Sequence, residues 1–262
     1  MEQTNAFSAV VTADKYAASI IDKYHVVADT DSSSHQAADR VLPLVKQWGQ
    51  QHLLGLTLSG AYAKNTAVSL SSGVDVLVSL KPVPDLEIKQ VFWRFFEFLI
   101  EQGLKARTRT VSVQVEHEGM RVDLIPAYQD HANAGNVLFV KGAGQPVHTS
   151  IAQHTHLVAN SGRQQEICAL KIWRERHALD FPSFYLELTV LRALEGERFG
   201  QVADNVMTVL RFLSSRLERT VVCDPANTEN IVSESVAEKS KLDIAKVARD
   251  AIYDENWEAI IW

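Results

Sequence analysis

Ser59-Gly60-Ala61-Tyr62-Ala63-Lys64-Asn65-Thr66, followed by Ser72-Gly73-Val74-Asp75-Val76-Leu77-Val78, is the stretch on which the fold turns. The apolar run Leu53 to Leu58 leads into it. Small residues let the backbone of such a turn approach a phosphate, and N–H groups at the start of a following helix favour its charge. Val74, Val76 and Val78 alternate with Asp75, Leu77 and Ser79, which predicts a short strand apolar on both faces. Asp75 thus stands on a strand beside a phosphate-sized turn. Asp123, in Arg121-Val122-Asp123-Leu124-Ile125-Pro126, is a second carboxylate in an otherwise apolar strand. Burying it is costly without a cation or hydrogen-bond donors. A phosphate turn with two strand carboxylates is the residue set for Mg²⁺-assisted phosphoryl transfer. The plainer alternatives are a strand-end charge at Asp75 and a structural ion pair of Asp123 with Arg121 or Arg109.

Outward from this stretch, the pattern predicts a helix over Ser8 to Tyr24, a polar break from Asp29 to Ser34, and a second helix from about His35. Ile88, Val91, Phe92, Phe95 and Leu99 fall on one helical face within 85–102, and Gly103 supplies the stop. Val111 to Val115 and Met120 to Ile125 read as a hairpin turning at Glu118-Gly119, with Pro126 ending the second strand. A two-residue turn there sets His117 opposite Met120 and Gln114 opposite Asp123, with Glu116 as diagonal neighbour of Asp123. Lys105, Arg107 and Arg109 share one strand face, as a track for an oligonucleotide backbone or as a charged edge that resists aggregation. Beyond Gly144 the pattern is helical: 150–159, 163–177, 182–195, 203–218 and 242–257. The fold class is therefore α+β, with a mixed first part, 1–144, and an all-helical second part, 145–262.

The 262 residues carry 26 Lys plus Arg against 32 Asp plus Glu, a net charge of −6. An acidic chain is poorly suited to indiscriminate binding of long duplex DNA, whose affinity comes from phosphate neutralisation. Cys168 and Cys223 make neither a disulfide framework nor a zinc site, and His148, His154 and His156 have no cysteines to join them. The N-terminus lacks the basic and apolar regions of a signal peptide, and Arg94 and Glu97 interrupt the most apolar stretch. The expectation is a cytoplasmic protein with no membrane partner.

The order of small-residue turn, Lys64-Asn65-Thr66, strand Asp75 and Val122-Asp123-Leu124-Ile125-Pro126 resembles the DNA polymerase β-type nucleotidyltransferases. It is most similar to the branch holding the bacterial cGAS/DncV-like enzymes (CD-NTases), the oligoadenylate synthetases and the archaeal CCA-adding enzymes. Leu170-Lys171-Ile172-Trp173-Arg174, Phe181 to Glu187, Asp224-Pro225-Ala226-Asn227 and Asn256-Trp257 extend the resemblance through the second half. It implies a polymerase-β-like palm over 1–144, a helical substrate domain over 145–262, and a catalytic cleft between them. Asp75 and Asp123 would be the catalytic metal ligands, for Mg²⁺ or Mn²⁺. Ser59, Gly60, Lys64, Asn65 and Thr66 would line the phosphate turn, and Lys171, Ser183 and Tyr185 would meet the incoming triphosphate. The implied reaction is template-independent attack of a hydroxyl on the α-phosphate of an NTP, yielding an oligonucleotide signal in antiviral defence. The implied partners are the NTP, a short oligonucleotide or nucleic-acid 3′ end, and an effector or regulatory protein.

Two positions depart from the family pattern. Ala61 stands where the turn usually carries a serine, and Gly73 stands where the first metal carboxylate is expected. Ser71 and Ser72 offer only neutral oxygens nearby. These departures keep two other readings open. One is a nucleotide-binding pseudoenzyme; the other is a transferase acting on a tRNA or DNA 3′ end, for which the Lys105 to Arg109 alternation is the support.

Overall fold

The computed structural model describes residues 2–27, 33–71, 73–117, 120–130, 135–254 and 256–262. Asp29 to Ser32 of the polar break, Ser72, the Glu118-Gly119 turn and His131 to Ala134 lie outside the described residues. Two helices open the chain, α1 (Glu2–Tyr24) and α2 (Ser33–Gly49). Strand β1 (Leu53–Ser59) runs straight into a one-turn helix, α3 (Gly60–Ala63), and β2 (Val74–Leu80) returns antiparallel to β1. Helix α4 (Ile88–Glu101) follows, its first turn closed by a reciprocal cap between Glu87 and Gln90. Then come β3 (Lys105–Thr108), β4 (Val113–His117), β5 (Met120–Asp130), β6 (Gly135–Leu138) and β7 (Val147–Thr149). The sheet order is β1-β2-β5-β4-β3, with β6 and β7 added beside the far half of β5.

The alternation of side chains divides this sheet into two faces. Val74, Val76, Val78, Val113, Val115, Val122 and Leu124 point to one side, where they pack with Val41 and Val45 of α2 and Ile88, Val91, Phe92, Phe95 and Leu99 of α4. All five of those α4 residues are the ones its sequence periodicity selects. The opposite face carries Asp75 and Asp123, with a small apolar patch of Leu77, Ile125, Ala127 and Leu138 beyond them.

Strand β5 corrects one expectation, since it continues through Pro126 to Asp130. Pro126 lies between Leu124, the last residue paired with β4, and Ala127, the first paired with β6. Its missing N–H therefore falls where the neighbouring strand changes, so the ladder loses little. The hairpin register holds as read: His117 pairs with Met120, Glu116 with Arg121, Val115 with Val122 and Gln114 with Asp123.

The second half contains α5 (Ile151–Ala159), α6 (Gln164–Arg176), α7 (Ser183–Ala193), α8 (Val202–Arg216), α9 (Glu238–Ile252) and α10 (Trp257–Ile260). It is not wholly helical, because β8 (Cys223–Asp224) and β9 (Asn227–Ile231) form a small hairpin between α8 and α9. The single helix expected over 242–257 is two, since the Asn256 side chain accepts from the Glu258 N–H and starts α10 afresh. Ile167, Leu170, Trp173, Leu186, Val206 and Leu210 lie in this second core. Ala17, Ile21 and Tyr24 of α1 join them, so the N-terminal helix packs with elements more than a hundred residues away. No helix among the described residues is long and apolar enough to cross a membrane.

Candidate active site

Five strands bring one polar row together. Ser59 on β1 is the register partner of Asp75 on β2, which pairs with Asp123 on β5, then Gln114 on β4, then Arg107 on β3. Cross-strand partners share a face, so these side chains line up across the sheet on the side away from α2 and α4. Asp123 is held by neutral donors rather than by Arg121 or Arg109. Ser112 Oγ donates to its Oδ1 at 2.7 Å and Gln114 Nε2 to its Oδ2 at 2.7 Å. Arg107 Nε in turn donates to Gln114 Oε1 at 2.7 Å. The Lys105–Arg109 face is therefore not a free basic track throughout, because Arg107 is tied into the row.

Asp75 depends on the turn beside it. Gly60 has φ +62°, and a Cβ built there would land on the Asp75 carboxylate. Glycine thus serves both the left-handed backbone and the close approach. Burial, followed by repulsion from Asp123, pushes the Asp75 carboxyl from 3.8 up to about 7, against the opposing pull of Lys64 and Lys171. The folded chain keeps this proton at pH values where the unfolded chain has released it. Stability therefore falls as pH rises through the window from about 4 to about 7. Asp75→Asn removes the titration. Relative to wild type it should gain little at pH 4 and on the order of 3 kcal/mol at pH 8, as chemical denaturation without metal will show.

Next to this pair, the sheet and the helices are joined by buried charges. Glu187 of α7 accepts from Lys64 Nζ at 2.7 Å on one oxygen and from Lys171 Nζ of α6 at 2.7 Å on the other. Lys171 also donates to the Thr66 hydroxyl at 2.9 Å and to the Thr66 carbonyl. Burial alone would raise the Glu187 carboxyl, but Lys171 and Lys64 outweigh it and bring it down to about 2. Lys171 neither snorkels to solvent nor stands free for a phosphate. Glu187 is the residue that sequence reasoning missed. Its signal was a carboxylate between Leu186 and Leu188 on an apolar helix, four residues after Ser183 and so on the same face.

The remaining candidates divide. Ser59 Oγ is buried without a hydrogen-bond partner among the described residues. Asn65 is exposed, at φ +56°, where it ends the α3 turn with its N–H on the Tyr62 carbonyl. Ser183 opens α7 and accepts from Arg174 Nη1 at 3.0 Å. Tyr185 is fully buried in the helical core, edge-on to Phe181, with its hydroxyl pushed up to about 12, chiefly by burial. The Tyr185 hydroxyl is buried with no hydrogen-bond partner among the described residues. Phe184 instead faces the junction, under Lys64 Nζ at 5.2 Å and against the His154 ring at 4.2 Å. His148, His154 and His156 have separate partners: Asp130, Asp224 and Asn160.

Among the described residues no group of three or more His, Cys, Asp or Glu is placed to hold a metal ion. The pair Asp75 and Asp123 nonetheless fits Mg²⁺ in one respect. Their mutual repulsion is what a divalent cation relieves, and Mg²⁺ is commonly held by one or two carboxylates plus substrate phosphates. At Gly73, where the family's first carboxylate is expected, a Cβ would lie 2.9 Å from the Arg121 carbonyl oxygen, so a side chain there requires the backbone to shift.

The fold is shared with several solved nucleotide-handling proteins. The chain is similar to the CdnC of E. coli MS115-1 solved in complex with HORMA-deltaN, with TM-score 0.72, 18% identity, and 90% of this chain and 88% of that one covered. The Bradyrhizobium diazoefficiens CD-NTase CdnG in complex with GTP superposes at TM-score 0.75 with 11% identity, over 92% and 89% of the two chains. The Cid1 poly(U) polymerase bound to MgATP superposes at 0.66 with 14% identity, over 94% and 97%. No protein-family model and no curated protein sequence matches the chain.

Proposed function

We propose that the protein is a metal-dependent, template-independent nucleotidyltransferase that moves an NMP from an NTP to a hydroxyl, building a short oligonucleotide signal in antiviral defence. The observation that carries this is the register pair Asp75 and Asp123 beside the Gly60 turn, in a fold shared with proteins solved with GTP and MgATP. Asp75 and Asp123 hold Mg²⁺ or Mn²⁺. When bound, the metal supplies an activated hydroxyl and neutralises the leaving pyrophosphate. Ser59, with its unspent hydroxyl, Gly60 and Asn65 line the triphosphate. Lys64, Thr66 and Lys171 stand behind it, with both lysines paired to Glu187. Ser183 adds a hydroxyl at the start of α7, and a contact from Tyr185 requires α7 to turn. The CdnC complex with HORMA-deltaN supports a regulatory protein partner here as well.

One observation favours a second reading. With glycine at 73 and a Cβ there crowded by the Arg121 backbone, the described residues offer the site two carboxylates, which suits a protein that binds nucleotide without turning it over. Incubation with all NTPs and dNTPs, with Mg²⁺ or Mn²⁺, followed by mass spectrometry, separates the two. The enzyme reading expects a phosphodiester product that disappears in Asp75→Ala. NTP binding by calorimetry with no product from any mixture would select the pseudoenzyme. Product seen only when a nucleic-acid 3′ end is supplied would select the end-acting transferase.

A further inference from the structure

We propose that Gln114, fixed by Arg107, and Ser112 are positioning residues that aim the Asp123 carboxylate at the metal; this rests on Asp123 being a metal ligand. Ser112 and Gln114 are both buried, and each spends a donor on a different Asp123 oxygen. With both oxygens fixed, the carboxylate cannot rotate about its last bond, and its remaining lone pairs are held in one direction. A glutamine amide could serve this purpose in only one of its two orientations, because turned over it would set oxygen against oxygen. Arg107 decides the orientation. A guanidinium Nε–H can only donate, so the Gln114 oxygen must face β3, leaving Nε2 for Asp123. An exposed arginine on the edge strand thereby orders a ligand two strands away. Groups that orient a metal ligand in this way typically matter by about 10- to 100-fold in metal affinity.

The test is Mn²⁺ binding to the protein without nucleotide, read from loss of the free-ion electron paramagnetic resonance signal. Gln114→Leu keeps the volume and loses the donor; it should weaken Mn²⁺ binding about tenfold. Arg107→Ala should weaken it by a smaller factor, and adding it to Gln114→Leu should change nothing more, because Arg107 acts through Gln114. Ser112→Ala should weaken binding independently and add to Gln114→Leu. Circular dichroism and thermal melts establish that each variant is folded. If Gln114→Leu does not fold, Arg107→Ala, at an exposed position, and Ser112→Ala decide the matter. Wild-type affinity in the folded variants, with binding lost in Asp123→Asn, overturns the positioning role and leaves the metal site standing. Wild-type affinity in Asp123→Asn as well, or no binding by the wild type, overturns both.

Discussion

A Glu187→Ala variant is expected to be about 3–5 kcal/mol less stable than the wild type at pH 7, the usual cost of leaving buried charges unpaired. The removed carboxylate serves Lys64 and Lys171 at once, each at 2.7 Å, and all three side chains are almost fully buried. Two ammonium groups would be left facing each other with only Thr66 as acceptor for one of them. Urea denaturation at fixed pH measures the loss. The pH dependence supplies the sign. The Glu187 carboxyl falls from 4.5 to about 2 on folding, so its contribution is complete above about 4.5 and disappears as pH falls through about 2. The wild type should lose stability across that window, and Glu187→Ala should lose less. Replacing the whole network with Lys64→Met, Glu187→Leu and Lys171→Met should restore most of the stability, since exchanging a buried ion network for apolar side chains is often neutral or better. That outcome would leave the charges to be explained by chemistry rather than by folding.

The second large effect concerns Asp123→Asn. Nucleotide transfer should fall by about 100- to 1000-fold or more, the range seen when one transition-state contact is removed. The loss should show in kcat at saturating NTP, with the metal concentration for half-maximal rate displaced upward. Because the Asp123 charge helps to raise the Asp75 carboxyl, the same substitution should lower the Asp75 pKa and shift the pH profile of residual activity downward. A variant with unchanged kcat and an unchanged metal requirement would remove Asp123 from the reaction altogether.

Local chemistry made much of this site legible. The Glu118-Gly119 spacing set the β4–β5 register, and with it the placement of Gln114 opposite Asp123. Val74 to Val78 and the apolar face of α4 were readable because their periodicity is imposed by the core they join. What stayed hidden depends on neighbours remote in sequence. Pro126 reads as a strand end until β6 is known to pair with β5 from Ala127 onward. Lys64 and Lys171 read as phosphate ligands because nothing local shows that Glu187, 123 residues from Lys64, satisfies both. Tyr185 reads equally well as a triphosphate contact or a core aromatic, and its place on α7 puts it in the core. Gly73 could be read as a missing ligand, but only the adjacent strand shows that the Arg121 backbone would crowd a side chain there.

The packing of α1 has a consequence for how the molecule can be divided. Helix α1 packs in the helical core, the sheet follows it in sequence, and the later helices return to that core. A fragment ending near residue 144 would keep α1 but expose its Ala17, Ile21 and Tyr24 surface, and the complementary fragment would have an open trough in its place. Neither piece is self-sufficient, whereas the two mixed together have what they need to find each other.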